Sequence, residues 1–92
     1  MAAKLDDATI RERAQSLPDW TVDGQSLKIT RKFKDFLAAM AFVNSLVDPA
    51  EASGHHPDIY ISYNQVDITL TTHDAGGLTD MDFQMARTIS NL

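Results

Sequence analysis

The stretch Ile59-Tyr60-Ile61-Ser62-Tyr63-Asn64-Gln65-Val66-Asp67-Ile68-Thr69-Leu70-Thr71-Thr72 decides the fold. Val66, Ile68 and Leu70 alternate with Asp67, Thr69 and Thr71, the pattern of a strand with one buried and one wet face. Ile59 to Tyr63 is equally rich in β-branched and aromatic residues, and the two residues Asn64-Gln65 between the runs predict a β-hairpin. Continued alternation puts His73 on the same face as Asp67, Thr69 and Thr71.

A second hairpin is expected upstream, with strands Trp20-Thr21-Val22 and Ser26 to Lys32 around Asp23-Gly24-Gln25, because Leu27 and Ile29 alternate with Lys28, Thr30 and Lys32. Helical spacing fills the rest. Asp6 can cap a first helix, with Leu5 and Ile10 as a hydrophobic staple and Ile10, Ala14 and Leu17 as its stripe, and Pro18 ends it. From Asp35 a longer helix carries Phe36, Met40, Val43 and Val47 on one face, and Ala39, Phe42 and Leu46 widen that face beyond the usual stripe. Asp48-Pro49 either kinks this helix or starts a last short turn, and Gly54 is a natural stop. Thr79 opens a final helix with Met81, Met85, Ile89 and Leu92 inward. The order α-β-β-α-β-β-α predicts an α+β fold: a four-stranded antiparallel sheet with three helices packed on one face, in a single domain over residues 1–92.

Composition narrows the function classes. With 8 Lys+Arg against 13 Asp+Glu the net charge is -5, which argues against direct nucleic-acid binding or docking on anionic lipid. With no cysteine, disulfides and Cys-based zinc or redox sites are excluded. The first residues lack the apolar core of a signal peptide, and no apolar run approaches the ~20 residues of a membrane span. A cytoplasmic protein is expected. In a domain of 92 residues, self-association would help to bury apolar surface.

All three histidines fall between Glu51 and Asp74. Imidazole is the side chain whose ordinary pKa, about 6.5, suits proton transfer near neutrality. If the helix that stops at Gly54 lies over the sheet, the end of the second long strand can bring His73 near His55 and His56. Metal binding is disfavoured, because an extended chain points adjacent side chains apart and no H-x-x-x-H spacing occurs. Glu51, one helical turn before His55, can orient that ring or complete a capping box with Asp48. Asp82 is similarly open, since Thr79-Asp80-Met81-Asp82 is itself a capping-box pattern. Trp20 reads as a core residue or as the wall of a pocket for a planar ligand. Gly76-Gly77 reads as a tight loop or a close approach to an anion.

His55-His56-Pro57, Tyr60, Val66 to Asp74, Gly76-Gly77-Leu78-Thr79 and Asp82, together with Lys34-Asp35-Phe36, resemble the pterin-4a-carbinolamine dehydratases. The resemblance covers essentially the whole chain and implies the same α+β fold. It implies dehydration of 4a-hydroxytetrahydropterin to quinonoid dihydropterin, in recycling the cofactor of aromatic amino acid hydroxylases, with neither metal nor redox cofactor. By position, His55, His56 and His73 match the family's active-site histidines, Glu51 its supporting glutamate and Asp82 its late aspartate. His55 and His73 are assigned to proton transfer with Glu51 in support, and His56, Asp82 and Trp20 to substrate binding. Which of His55 and His73 is the acid stays open. Gly54 departs from the acidic or amide residue often found there. The resemblance also implies a homodimer or homotetramer, built through an edge strand or through Phe42 and Leu46 of the long helix unless those meet another helix of the same chain. The alternative it carries is a non-catalytic module that serves as a dimerisation partner of a homeodomain transcription factor.

Overall fold

The computed structural model describes residues 3–92. Strands β1 (Thr21–Asp23), β2 (Ser26–Lys32), β3 (Asp58–Ser62) and β4 (Gln65–Leu70) form one antiparallel sheet in the order β1-β2-β4-β3. The register places Leu27 opposite Leu70, and Ile29 opposite Ile68, which in turn faces Ile59. Alternation therefore gathers these side chains on one face. Helices α1 (Asp7–Ala14), α2 (Phe36–Ser45), α3 (Val47–Ser53) and α4 (Asp80–Ser90) cover it, with Ile10, Phe42, Phe83 and Ile89 buried against Leu27, Ile68 and Leu70. The other face carries polar pairs, among them Thr30, whose hydroxyl donates to Asp67 Oδ1 at 2.7 Å.

The helix ends are set by local chemistry. Asp6 accepts from the backbone N–H of Thr9, and Asp35 from that of Ala38, each at 2.8 Å, as expected of N-caps. Pro49 has no N–H to offer the Ser45 carbonyl, so the long helix is interrupted at Leu46 and resumes as α3. This realises the expected break, but Asp48 is not its cap, because α3 starts at Val47 without a side-chain cap.

The buried face of α2 and α3 differs from expectation. Ala39, Phe42, Leu46 and Ala50 face the core, while Phe36 and Val47 are 52% and 54% exposed. The small Ala39 lets the helix approach the sheet, and Phe42 is held inside by the Phe33 ring at 5.1 Å and the Arg31 guanidinium at 5.2 Å. Phe42 and Leu46 are therefore core residues rather than a subunit contact. The turn of the second hairpin is Tyr63-Asn64, one residue earlier than expected, with Tyr63 at a left-handed φ of 53°. Asn64 anchors it by donating its side-chain amide to the Phe33 carbonyl at 2.9 Å. Parity is unchanged, so the expected core residues of β4 are the observed ones. Strand β4 ends at Leu70, and His73 opens a short 3₁₀ turn, His73–Ala75. Leu92 lies beyond α4 and is exposed; Phe83, fully buried, takes the central place in that helix.

Candidate active site

The end of α3 aims the first two histidines. Gly54 is left-handed at φ 65°, its N–H donates to the Glu51 carbonyl at 3.4 Å, and the His55 N–H donates to the Ala50 carbonyl at 3.2 Å. This pair of bonds is a Schellman stop, and only glycine takes that conformation without steric cost. A Cβ at Gly54 would meet no atom within 4 Å, so the backbone, not space, favours glycine there.

Beyond this stop the chain is extended and the adjacent rings diverge. His55 turns inward and its Nε2 lies 2.6 Å from Oδ1 of Asp82, which is fully buried. His56 turns outward and its Nε2 lies 2.5 Å from Oε2 of Glu51. The side chains of this second pair are 61% and 70% exposed. Glu51 thus serves His56, not His55 as expected from helical spacing.

Asp82 combines the two roles left open for it. Its Oδ2 accepts from the backbone N–H of Thr79 at 2.9 Å, completing the capping box of α4, and from the Thr72 hydroxyl at 2.8 Å. With every oxygen engaged and no exposed surface, it reaches a substrate only through His55. Trp20 is likewise no pocket wall. It is buried in the core and donates from Nε1 to Ser90 Oγ at 2.8 Å, at the C-terminal end of α4, whereas the site lies at the N-terminal end.

A cavity of about 400 Å³ lies where the end of α3, the end of β4 and the start of α4 converge. His55, His56 and His73 all line it, with Thr71, Thr72, Asp74 and Met81. Its size suits a small planar heterocycle. Imidazoles at different points of one wall can exchange protons with different atoms of such a ligand. Among the described residues no cluster of three or more His, Asp and Glu side chains is arranged to hold a metal ion. Thr72, read from the sequence as a strand residue, and Met81, read as a core residue of the last helix, were not expected to line a site. Thr72 had a signal, since it stands where the strand pattern fails and beside His73.

The model of the family described as Pterin 4 alpha carbinolamine dehydratase matches residues 3–92. Two similar proteins, from Trichormus variabilis and a Cyanothece species, carry the name "Putative pterin-4-alpha-carbinolamine dehydratase". The first is 62% identical over the whole of this chain and 99% of its own length, and the second 63% over the whole chain and 95% of its own. The crystal structure of a transcriptional coactivator/pterin dehydratase from Brucella melitensis is 37% identical, covers 96% of each chain and superposes with a TM-score of 0.90. A pterin dehydratase-like protein described as a RuBisCO assembly factor in the alpha-carboxysome shares the fold, with a TM-score of 0.63 at 22% identity over 78% of this chain and 83% of its own.

Proposed function

Since the chain belongs to the pterin 4 alpha carbinolamine dehydratase family, we propose that it dehydrates a 4a-hydroxytetrahydropterin to the quinonoid dihydropterin, as one domain over residues 1–92, in cytoplasmic tetrahydropterin recycling. The observation that carries this reading is the convergence of His55, His56 and His73 on one cavity. The leaving hydroxyl on C4a departs as water once an acid protonates it. The lone pair of the adjacent ring nitrogen drives the expulsion, and a base removes the proton that this nitrogen then carries. His55 and His73, on different elements, serve as the acid and base, each contributing about 10²- to 10⁴-fold. His56, held by Glu51, binds and orients the pterin. Asp82 positions His55 from behind.

The reading includes self-association. Leu37 is 77% exposed, Phe36 and Val47 are about half exposed, and β3 is an edge strand whose Tyr60 is 64% exposed. These surfaces support a homodimer or homotetramer, through α2, through β3, or both. No helix among the described residues is long and apolar enough to cross a membrane. The same exposed face of α2 favours a second reading, a module that pairs with a transcription factor, in keeping with the coactivator description of the Brucella relative.

The deciding experiment is dehydration of 4a-hydroxytetrahydropterin by the purified protein. We expect saturable turnover that survives a chelator, falls steeply in His55→Ala and His73→Ala, and shows mainly a raised KM in His56→Ala. No rate above buffer would leave the interaction module as the reading to pursue.

A further inference from the structure

Thr72 follows β4, and its half-buried hydroxyl lies 2.8 Å from Asp82 Oδ2 and 2.8 Å from Thr79 Oγ1. A hydroxyl has one hydrogen to donate, whereas an ionised carboxylate only accepts. Thr72 therefore donates to Asp82, Thr79 donates to Thr72, and the Met81 N–H donates to Thr79 Oγ1 at 3.2 Å. The directed chain ends at His55, whose Nε2 lies 2.6 Å from Asp82 Oδ1; toward an ionised carboxylate that nitrogen is the donor. Nε2 thus keeps its hydrogen whether the ring is neutral or charged. Proton exchange is left to Nδ1, to which no described group hydrogen-bonds. No buried side-chain nitrogen or oxygen among the described residues lacks a partner. Nδ1 is accordingly not fully enclosed, on a ring that lines both the three-histidine cavity and a smaller one of about 150 Å³ between α3 and α4.

We propose that Thr72 is a positioning residue for the dehydration: acting through Asp82, it fixes His55 with hydrogen on Nε2, so that Nδ1 alone exchanges protons with the substrate. The proposal rests on the dehydratase reading. Two donors hold Asp82 Oδ2, the Thr79 N–H and the Thr72 hydroxyl, and they differ in what they fix. The first belongs to the helix cap and is present in any folded form. The second ties the carboxylate to the segment after β4 that also carries His73, and so sets the plane in which Oδ1 meets the imidazole. Loss of the hydroxyl frees that plane while the cap holds.

The test is Thr72→Val, which keeps the side-chain shape and removes the donor, beside Thr72→Ser, which keeps the donor. A hydrogen bond to a charged group is of a strength that corresponds to about a 10- to 100-fold change. We expect valine to lower kcat by that factor with little change in KM, and serine to recover most of the loss. The ring nitrogens of His55 are read independently of activity by long-range proton–nitrogen correlation on labelled protein. In the parent these should show hydrogen on Nε2 and a bare Nδ1 once the ring is neutral, and in Thr72→Val a mixture of tautomers. A parent with hydrogen on Nδ1 and a bare Nε2 overturns the proposal, as does a valine variant with parental turnover or an unaltered spectrum. If valine prevents folding, Thr72→Ala and the parent spectrum carry the same test. A parent inactive on the pterin overturns the dehydratase reading, and with it the catalytic half of the proposal, whereas the spectrum decides the nitrogen assignment by itself.

Discussion

Two carboxylates each hold one histidine of the site, and removing them should have very different consequences. Asp82→Ala deletes the acceptor of three donors, His55 Nε2, Thr72 Oγ1 and the Thr79 N–H, at a residue with no exposed surface. Each buried group left unpaired costs about 1–3 kcal/mol, and three are left here. We take about 3–5 kcal/mol for the whole substitution, because water can enter from the adjoining cavity and re-pair part of the network. A domain of this size has about 5–14 kcal/mol of total stability, so the loss is a large fraction of it. At about 4–8 °C per kcal/mol, the melting temperature should fall by at least about 12 °C. Glu51→Ala removes a partner from a pair that is mostly in water. Its cost is about 0–1 kcal/mol, and that should vanish in high salt. Asp82→Asn refines the comparison. If the amide oxygen stays with Thr72 and Thr79, its NH₂ faces His55 Nε2, and the ring must then accept there and move its hydrogen to Nδ1. Stability should be better than in Asp82→Ala, yet turnover should be low. Urea and thermal unfolding of the variants in low and high salt provide the measurement. Similar losses for Glu51→Ala and Asp82→Ala, or an Asp82→Ala protein within about 1 kcal/mol of the parent, would refute the division into a buried structural pair and an exposed one.

If the proposed homodimer or homotetramer forms through α2, Leu37→Glu should dissociate it, read by light scattering, with little change in protomer stability, because the side chain is 77% exposed. Phe42→Ala should instead cost about 3–5 kcal/mol in unfolding experiments, since it empties a core site packed on Phe33 and Arg31. Hydrogen bonding from Thr9, its side chain first and its backbone N–H second, holds the Asp6 carboxyl below the ordinary carboxylate value. Its folded value lies below its unfolded one, so its contribution is complete above the ordinary range and lost as pH falls through the folded value. The stability difference between the parent and Asp6→Asn should therefore be constant near neutrality and shrink in acid, as followed by thermal melts from about pH 7 to about pH 3.

The α+β fold was legible because alternation carries parity as well as strand character. Moving the second turn from Asn64-Gln65 to Tyr63-Asn64 left Val66, Ile68 and Leu70 on the core face, so an error of one residue in the turn did no damage to the sheet. The long helix offered no such protection. Phe36–Ser45 contains no charged residue, so no polar stripe opposes its apolar one, and periodicity alone allows two adjacent faces. What selects the Phe42 face is the fit of that ring against Phe33 and Arg31, which lie just past and on strand β2, a contact between elements that helical periodicity does not encode.

The same limit explains the pairing of the histidines. Pairing Glu51 with His55 counts one helical turn across Gly54, but the left-handed turn there ends the helical register, and His56, two residues on, is the one that swings back toward Glu51 on α3. The rule that successive side chains of an extended segment diverge argued against shared chelation by His55 and His56. Carried one step further, it gives each ring its own carboxylate: a buried, fully bonded one that holds His55 in place, and an exposed one that leaves His56 adjustable. A wall with one fixed and one adjustable imidazole, and His73 on a separate turn, suits a reaction in which proton transfer at a set position must follow the docking of a flat ligand. On this account, the fixed ring governs turnover and the adjustable ring governs affinity.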